Sequence, residues 1–148
     1  MRACEMAEEY PVVDLDSDAL AAARLLAERR LPGLVVTDGS GCPQSVLPAS
    51  QVVRFLVPRY VCDDPSLAGV LTESMADRAA DKLAGKTVRS VLSGEPTELP
   101  RVNADDTIVE VAAVMARLRC PLVAVMQEGT LIGVVSASRL LELALSPR

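Results

Sequence analysis

The chain has 148 residues, half of them apolar, a formal net charge of −5 and no histidine. That length buries one substantial core, or two small ones that share a face. The acidic balance and the three aromatics (Tyr10, Phe55, Tyr60) argue against nucleic acid as the main partner, which needs a basic surface and stacking rings. Without imidazole there is no histidine acid–base chemistry, no Ser-His or Cys-His nucleophile pair and no His-containing zinc set. The four cysteines (Cys4, Cys42, Cys62, Cys120) show no CxxC spacing and are expected as reduced thiols. No apolar run reaches bilayer length, so a soluble, cytoplasmic protein without direct membrane insertion is expected.

Residues 1–10 carry little pattern beyond Glu5, Glu8 and Glu9, and are expected as a solvated helix edge or a frayed terminus. Residues 11–15 read as a short strand or an extended entry. Asp16-Ser17-Asp18 supplies capping oxygens for a helix with Leu20, Ala23, Leu26 and Ala27 on its buried face. Glu28-Arg29-Arg30 closes it, with the arginines at the negative end of the helix dipole. Pro32-Gly33 breaks the helix, Leu34-Val35-Val36 is a buried strand, and Asp38-Gly39-Ser40-Gly41 is a turn. Val46-Leu47 belongs to the next strand. Ala49 to about Leu56 is a second helix with Val52, Val53 and Leu56 inward.

Asp64-Pro65-Ser66 opens a middle helix, with Pro at its first position. Its stripe of Leu67, Val70, Leu71 and Met75 runs towards Leu83, and Gly85 ends it. This helix joins the two halves, or its stripe contributes to a dimer interface. Residues 87–92 form a short capped helical turn with no full counterpart near the N-terminus, and Gly94-Glu95-Pro96 is a loop. From Pro100 the first pattern returns. Asp105-Asp106-Thr107 caps a helix with Ile108, Val111, Ala112, Met115 and Leu118 inward, and Cys120-Pro121 stops it. Residues 122–126 and 131–135 are strands around the Gln127-Glu128-Gly129-Thr130 turn. A final helix runs from Ala137 to about Leu145.

Pro11 and Pro100 lie 89 positions apart, as do Pro32 and Pro121, whereas the pairs Ala49-Ser50 and Ala137-Ser138 lie 88 apart. One residue was lost or gained in the turn between the strands, where length changes cost least. The fold class is α/β (α+β): two βαββα repeats, each too small to bury a good core alone, packed with pseudo-twofold symmetry as one globular unit. Residues 1–62 are expected as the first module, 63–86 as a connecting helical segment and 87–148 as the second module.

The second repeat carries Val102-x-x-Asp105-Asp106-Thr107-x-x-Glu110-Val111-Ala112-x-x-Met115, then Pro121-Leu122-Val123-Ala124-Val125, then Gly129-x-Leu131-Ile132-Gly133-Val134-Val135-Ser136. The first is weaker: Val13-Asp14, Pro32-Gly33-Leu34-Val35-Val36 and Val46-Leu47-Pro48-Ala49-Ser50. Together these resemble a tandem pair of cystathionine-beta-synthase (CBS) domains over almost the whole chain. The resemblance implies a stand-alone regulatory sensor, not a catalyst, whose clefts take an adenosine nucleotide or another anionic metabolite. AMP, ADP, ATP or S-adenosylmethionine is the implied regulatory ligand, with no required cofactor and no metal. A homodimer and an unidentified regulated enzyme or transporter are the implied partners. The implied ligand contacts are Val102, Pro121, Leu122, Gly133, Val134, Ser136 and Arg139. A second, weaker cleft falls on Val13, Pro32, Gly33 and Gln51.

The family's ligand signature is Gly, two apolar residues, Ser or Thr, two residues, then an Asp that accepts from the ribose hydroxyls. Here the second copy has Arg139 at the Asp position. The first has Ser45 for Gly, Pro48 for the hydroxyl and Gln51 for Asp. Arg139 cannot accept from a diol, but it suits a phosphate or carboxylate. Ser136 with Arg139 reads either as an anion site at a helix N-terminus or as a plain cap beside a surface arginine. A ligand-free interaction or dimerisation module is the alternative to the sensor.

Overall fold

The computed structural model describes residues 1–57, 61, 63–70, 78–92 and 97–146. A short helix α1 (Ala3–Met6) precedes the first repeat: β1 (Val12–Asp14), α2 (Ala19–Arg29), β2 (Gly33–Thr37), β3 (Pro43–Pro48) and α3 (Ala49–Leu56). A 3-10 turn (Pro65–Val70), α4 (Ala79–Leu83), α5 (Val88–Leu92) and β4 (Thr97–Glu98) follow. The second repeat is β5 (Arg101–Asn103), α6 (Ile108–Leu118), β6 (Leu122–Gln127), β7 (Thr130–Ser136) and α7 (Ala137–Ala144). Leu71, Met75 and the Gly94-Glu95-Pro96 loop lie outside the described residues.

Both repeats are built by the same local chemistry. The Asp18 carboxylate accepts the Ala21 N–H at 3.1 Å to start α2, and Thr107 Oγ1 accepts the Glu110 N–H at 3.3 Å to start α6. Each helix ends on an arginine in the left-handed region, Arg30 at φ 51° and Arg119 at φ 50°. An L-residue enters that region at a cost of about 1–2 kcal/mol. Spent at the same point in both copies, it turns the chain sharply into the prolines that open the next strands.

The register preserves the repeat. β1 and β2 are parallel with Val12 opposite Val35, as β5 and β6 are with Arg101 opposite Ala124. In the antiparallel pairs Val35 meets Val46 and Ala124 meets Val134. Where the hairpins turn, Thr37 is opposite Pro43 but Met126 is opposite Leu131, so the first turn holds the extra residue. The strands read as unbroken apolar runs because both of their faces are covered. Leu34, Val36 and Leu47 face the helices of the first repeat, and Val123, Val125 and Val135 those of the second. Val35 and Val46 meet Leu122, Ala124 and Val134 in a layer shared by the two repeats.

The cores exchange segments. Val88, Val91 and Leu92 of α5 pack into the first core, while Ala3 and Met6 of α1 are fully buried in the second. The hydrogen bonds follow the same symmetry. Val88 N–H donates to Ser17 O and Arg89 N–H to Leu15 O, as Ala3 N–H donates to Asp106 O and Cys4 N–H to Ala104 O. β4 then pairs with β3, completing a four-stranded sheet in the order β1-β2-β3-β4, and Glu8 bridges Val134 at the edge of the three-stranded β5-β6-β7 sheet. Residues 1–8 are therefore not a frayed terminus. They are the spatial counterpart of residues 87–92, the turn for which the sequence offered no partner, and Glu8 lies on Val134 as Thr97 lies on Val46.

The apolar stripes are narrower than the periodicity implies. Ala27 is exposed, Val53 is 58% exposed and Leu118 45%. The eight-residue α3 lays a single residue, Val52, fully onto its sheet. Ala27 and Leu118 lie in the last turns of their helices, where the chain swings outward to the left-handed arginine.

Candidate functional site

A cleft of about 350 Å³ opens between the two repeats, within the size range of small-molecule sites. Glu8, Glu9 and Tyr10 form one wall, the α2 end from Arg29 to Pro32 a second, and Pro121 with Ser136, Ala137 and Ser138 a third. Two equivalent hydrogen bonds set the loops against the helix starts: Ala49 N–H to Pro32 O and Ala137 N–H to Pro121 O, each 2.9 Å. The Tyr10 hydroxyl donates to Gly33 O at 2.9 Å. Burial pushes its pKa up to about 12, against the opposing pull of Arg29, so it stays a neutral donor at ordinary pH.

Ser136 is the N-cap of α7, its Oγ accepting the Arg139 N–H at 3.1 Å. A hydroxyl acting as acceptor still has its own hydrogen to donate, so capping and ligand contact are compatible. Arg139 Nη1 donates to Glu142 Oε1 at 2.9 Å. Its Nε lies 3.8 Å from Glu8 Oε1, an ion pair too long for a hydrogen bond, and this buried Nε has no hydrogen-bond partner among the described residues.

The other candidate residues are spread more widely. A Cβ at Gly133 would fall 2.8 Å from the Ala7 Cβ and 3.0 Å from Glu8 O, so its bare backbone admits the crossing N-terminal segment. Val102 is buried in the second core, and Leu122 and Val134 lie in the shared layer. In the first repeat Val13 packs half-buried against the first core. A Cβ at Gly33 would meet Leu47 O at 3.0 Å, and Gln51 Nε2 donates to Val91 O at 3.2 Å. Pro32, Pro121 and Ser136, drawn from both sequence-level clefts, are thus brought together in one. Glu8, Glu9, Tyr10, Arg29 and Arg30 were not anticipated. One signal pointed to them: Glu9-Tyr10-Pro11 repeats Glu98-Leu99-Pro100 at the same 89-position offset.

A second groove, of about 540 Å³, runs between α6 and α7 and is lined by Met1, Ile108, Val109, Ala112, Leu140 and Leu143, among others. Among the described residues no cluster of three or more His, Cys, Asp or Glu is placed to hold a metal ion. No helix among them is long and apolar enough to cross a membrane.

The CBS domain family model matches residues 88–146, the second repeat with its preceding turn. A CBS domain-containing protein of unknown function from Kribbella flavida DSM 17836 is similar at 66% identity and a TM-score of 0.88, over 99% of each chain. The CBS domain of a CBS domain-containing membrane protein from Sphaerobacter thermophilus shares the fold at 18% identity and a TM-score of 0.71, over 97% of this chain and 87% of that one. CBSX2, solved in complex with AMP, shares it at 17% identity and a TM-score of 0.68, over 97% and 96%. No curated protein sequence matches. Two βαββα repeats around a common layer, together with full-length likeness to the Kribbella protein, establish that this chain belongs to the CBS domain family as a tandem pair.

Proposed function

We propose that the chain is a regulatory CBS pair that senses a small anionic ligand in the cleft between its repeats and transmits occupancy to a partner protein. The observation that carries this reading is the composition of the cleft: Arg29, Arg30 and Pro32 come from the first repeat, and Pro121, Ser136 and Ser138 from the second. A ligand seated there touches both halves, so its affinity depends on their relative placement. It shifts that equilibrium by its differential affinity for the two arrangements. Arginines and helix-start hydroxyls suit phosphate or carboxylate oxygens. AMP, ADP, ATP and S-adenosylmethionine are the ligands to try first, and the CBSX2 complex with AMP supports that choice. The chain acts as a binding protein, not a catalyst, on a partner such as an enzyme or a transporter.

The second reading, a ligand-free dimerisation or interaction module, rests on the apolar groove between α6 and α7, where Val109 is 73% exposed. A homodimer through this face is compatible with either reading. A thermal-shift series with the four ligands, followed by calorimetry on any hit, separates them. A specific ligand at 100 times its dissociation constant stabilises the fold by about 2.7 kcal/mol. A shift that Ser136→Ala and Arg30→Ala each weaken supports the sensor. No shift from a protein that still dimerises in sedimentation leaves the interaction module.

A further inference from the structure

The two repeats differ in what lies over their helix pairs. In the first, α4 packs against both α2 and α3, and its buried Leu83 joins Ala19, Leu20, Ala23, Phe55 and Leu56 in the first core. Lys82, one residue earlier, donates from Nζ to the Leu56 carbonyl at 2.8 Å. The last carbonyls of a helix have no partner within it, so this bond satisfies one that the end of α3 leaves open. The groove between α6 and α7 is the same place in the second repeat. Ile108, Val109 and Ala112 stand for Ala19, Leu20 and Ala23 at the 89-position offset, and Leu143 and Ala144 for Phe55 and Leu56 at the 88-position one. Leu20 and Leu56 are half-buried where Val109 and Ala144 are exposed.

Backbone bonds fix the correspondence. Ala19 N–H donates to Lys86 O as Ile108 N–H donates to Met1 O, just as Val88 N–H and Ala3 N–H donate to Ser17 O and Asp106 O. Met1, at the head of the strap of residues 1–8 that crosses β7, is thus the counterpart of Lys86, three residues beyond Leu83 at the end of α4. Among the described residues none takes the place of Leu83 in the second groove.

From this asymmetry we infer that the α6–α7 groove docks a short amphipathic helix of a partner protein with the chemistry of α4. It presents a leucine between the two helices, and a basic residue just before that leucine meets the last carbonyls of α7. The first groove shows the fit in the chain's own side chains. Two observations favour another protein over a second copy. Leu83 of each copy is already buried in its own first core, so an identical chain has no free α4 to lend. The C-terminal end of α7 is the negative end of its dipole, and a chain of net charge −5 matches it less well than a basic partner does. α7 also joins the groove to the cleft, since Ser136 and Ser138 at its start line one and Leu143 and Ala144 at its end line the other. The link between docking and ligand occupancy rests on the regulatory reading above, but the docking itself needs no ligand and is tested without one.

The test supplies α4 to the open groove. A peptide of residues 78–86 is titrated into the isotope-labelled full chain and followed by amide chemical shifts. In a second protein, residues 78–85 are fused directly ahead of Met1, which then takes the place of Lys86. The expected results are saturable shifts around Val109, Ala112 and Leu143 with the peptide, and a thermal midpoint raised by about 2 °C or more in the fusion. Leu83→Ala in the peptide should weaken binding about tenfold or more, and in the fused segment it should return the midpoint to that of wild type. Val109→Glu, at an exposed position, should abolish peptide binding in a chain that still folds. Equal midpoints for the leucine and alanine fusions overturn the inference. Docking of the fused segment without binding of the free peptide overturns a partner in trans. A wild-type dimer in sedimentation that Val109→Glu dissolves overturns it too, by giving the groove to a second copy. The sensor reading is judged separately, by the thermal shifts with the four ligands.

Discussion

The last helix of each repeat begins differently. α7 starts on Ser136, whose hydroxyl caps the Arg139 amide, whereas α3 starts on Pro48 with no side-chain cap. Three residues further on, the second copy carries Arg139, flanked by Glu8 and Glu142, and the first carries Gln51, bound to the Val91 carbonyl. Beneath these positions the two copies share registers, left-handed arginines, helix-to-loop hydrogen bonds and exchanged segments. The fold is held by apolar alternation and backbone pairing, which constrain many positions weakly. The positions that differ sit at the two helix entrances, where they can change without disturbing the sheet. A symmetric fold can therefore carry an asymmetric site.

The largest effect expected probes the exchange itself. Met6→Ala empties a fully buried site in the second core and Leu92→Ala a largely buried one in the first, each costing about 2–5 kcal/mol in urea unfolding. Hydrogen exchange should rise at β6 for Met6→Ala and at β2 for Leu92→Ala. A Met6→Ala protein as stable as wild type would return residues 1–8 to a frayed end and break the comparison.

Gly133→Ala sharpens it next. The added methyl meets the Ala7 side chain and the Glu8 carbonyl, and about 1–3 kcal/mol is the expected cost of such overpacking. Ser45, its counterpart in the first repeat, already bears a side chain opposite β4. Ser45→Ala should cost less than about 1 kcal/mol, and equal losses at the two sites would mean that the strap does not press on β7. Below Gly133→Ala comes Ser136→Ala, about 1 kcal/mol for the lost cap, measured by the thermal midpoint. Pro48→Ala removes no cap and should not reproduce that loss by the same route.

The last expectation is silent at neutral pH. Tyr10 keeps its proton to about pH 12 in the folded chain but to about 10 when unfolded. Its contribution to stability is complete below pH 10 and is lost as pH rises towards 12, because only the unfolded state releases the proton in that window. Tyr10→Phe should flatten that part of the pH–stability curve. An unchanged slope would show that the hydroxyl is not buried against Gly33.

Much of this was legible before any coordinates. The 89- and 88-position offsets established two copies and a one-residue difference in the turn. Asp18 and Thr107 marked the helix starts, and the apolar run at Leu34-Val35-Val36 marked a buried strand. Less legible was where each candidate contact would point. Val102, Leu122 and Val134 share a strand pattern with Ser136, yet the first three are buried in cores, and only the packing of the second sheet tells one buried face from the other. Leu118 and Val53 look like core by period and are exposed, Leu118 as the last residue of its helix.

The sequence by itself determined the repeat, the order of its elements, the caps and the identity of the family, because these depend on spacing and on neighbours along the chain. Tertiary structure decided which segment completes which core and which residues face one another across the cleft. Residues 1–8 carry too few apolar side chains to announce a role, and α1 is too short to form on its own. They are ordered by Asp106, Ala104 and Val134, far along the chain, whose backbone groups give them hydrogen bonds. The meeting of Glu8 with Arg139, 131 positions apart, follows from that pairing and from no local pattern.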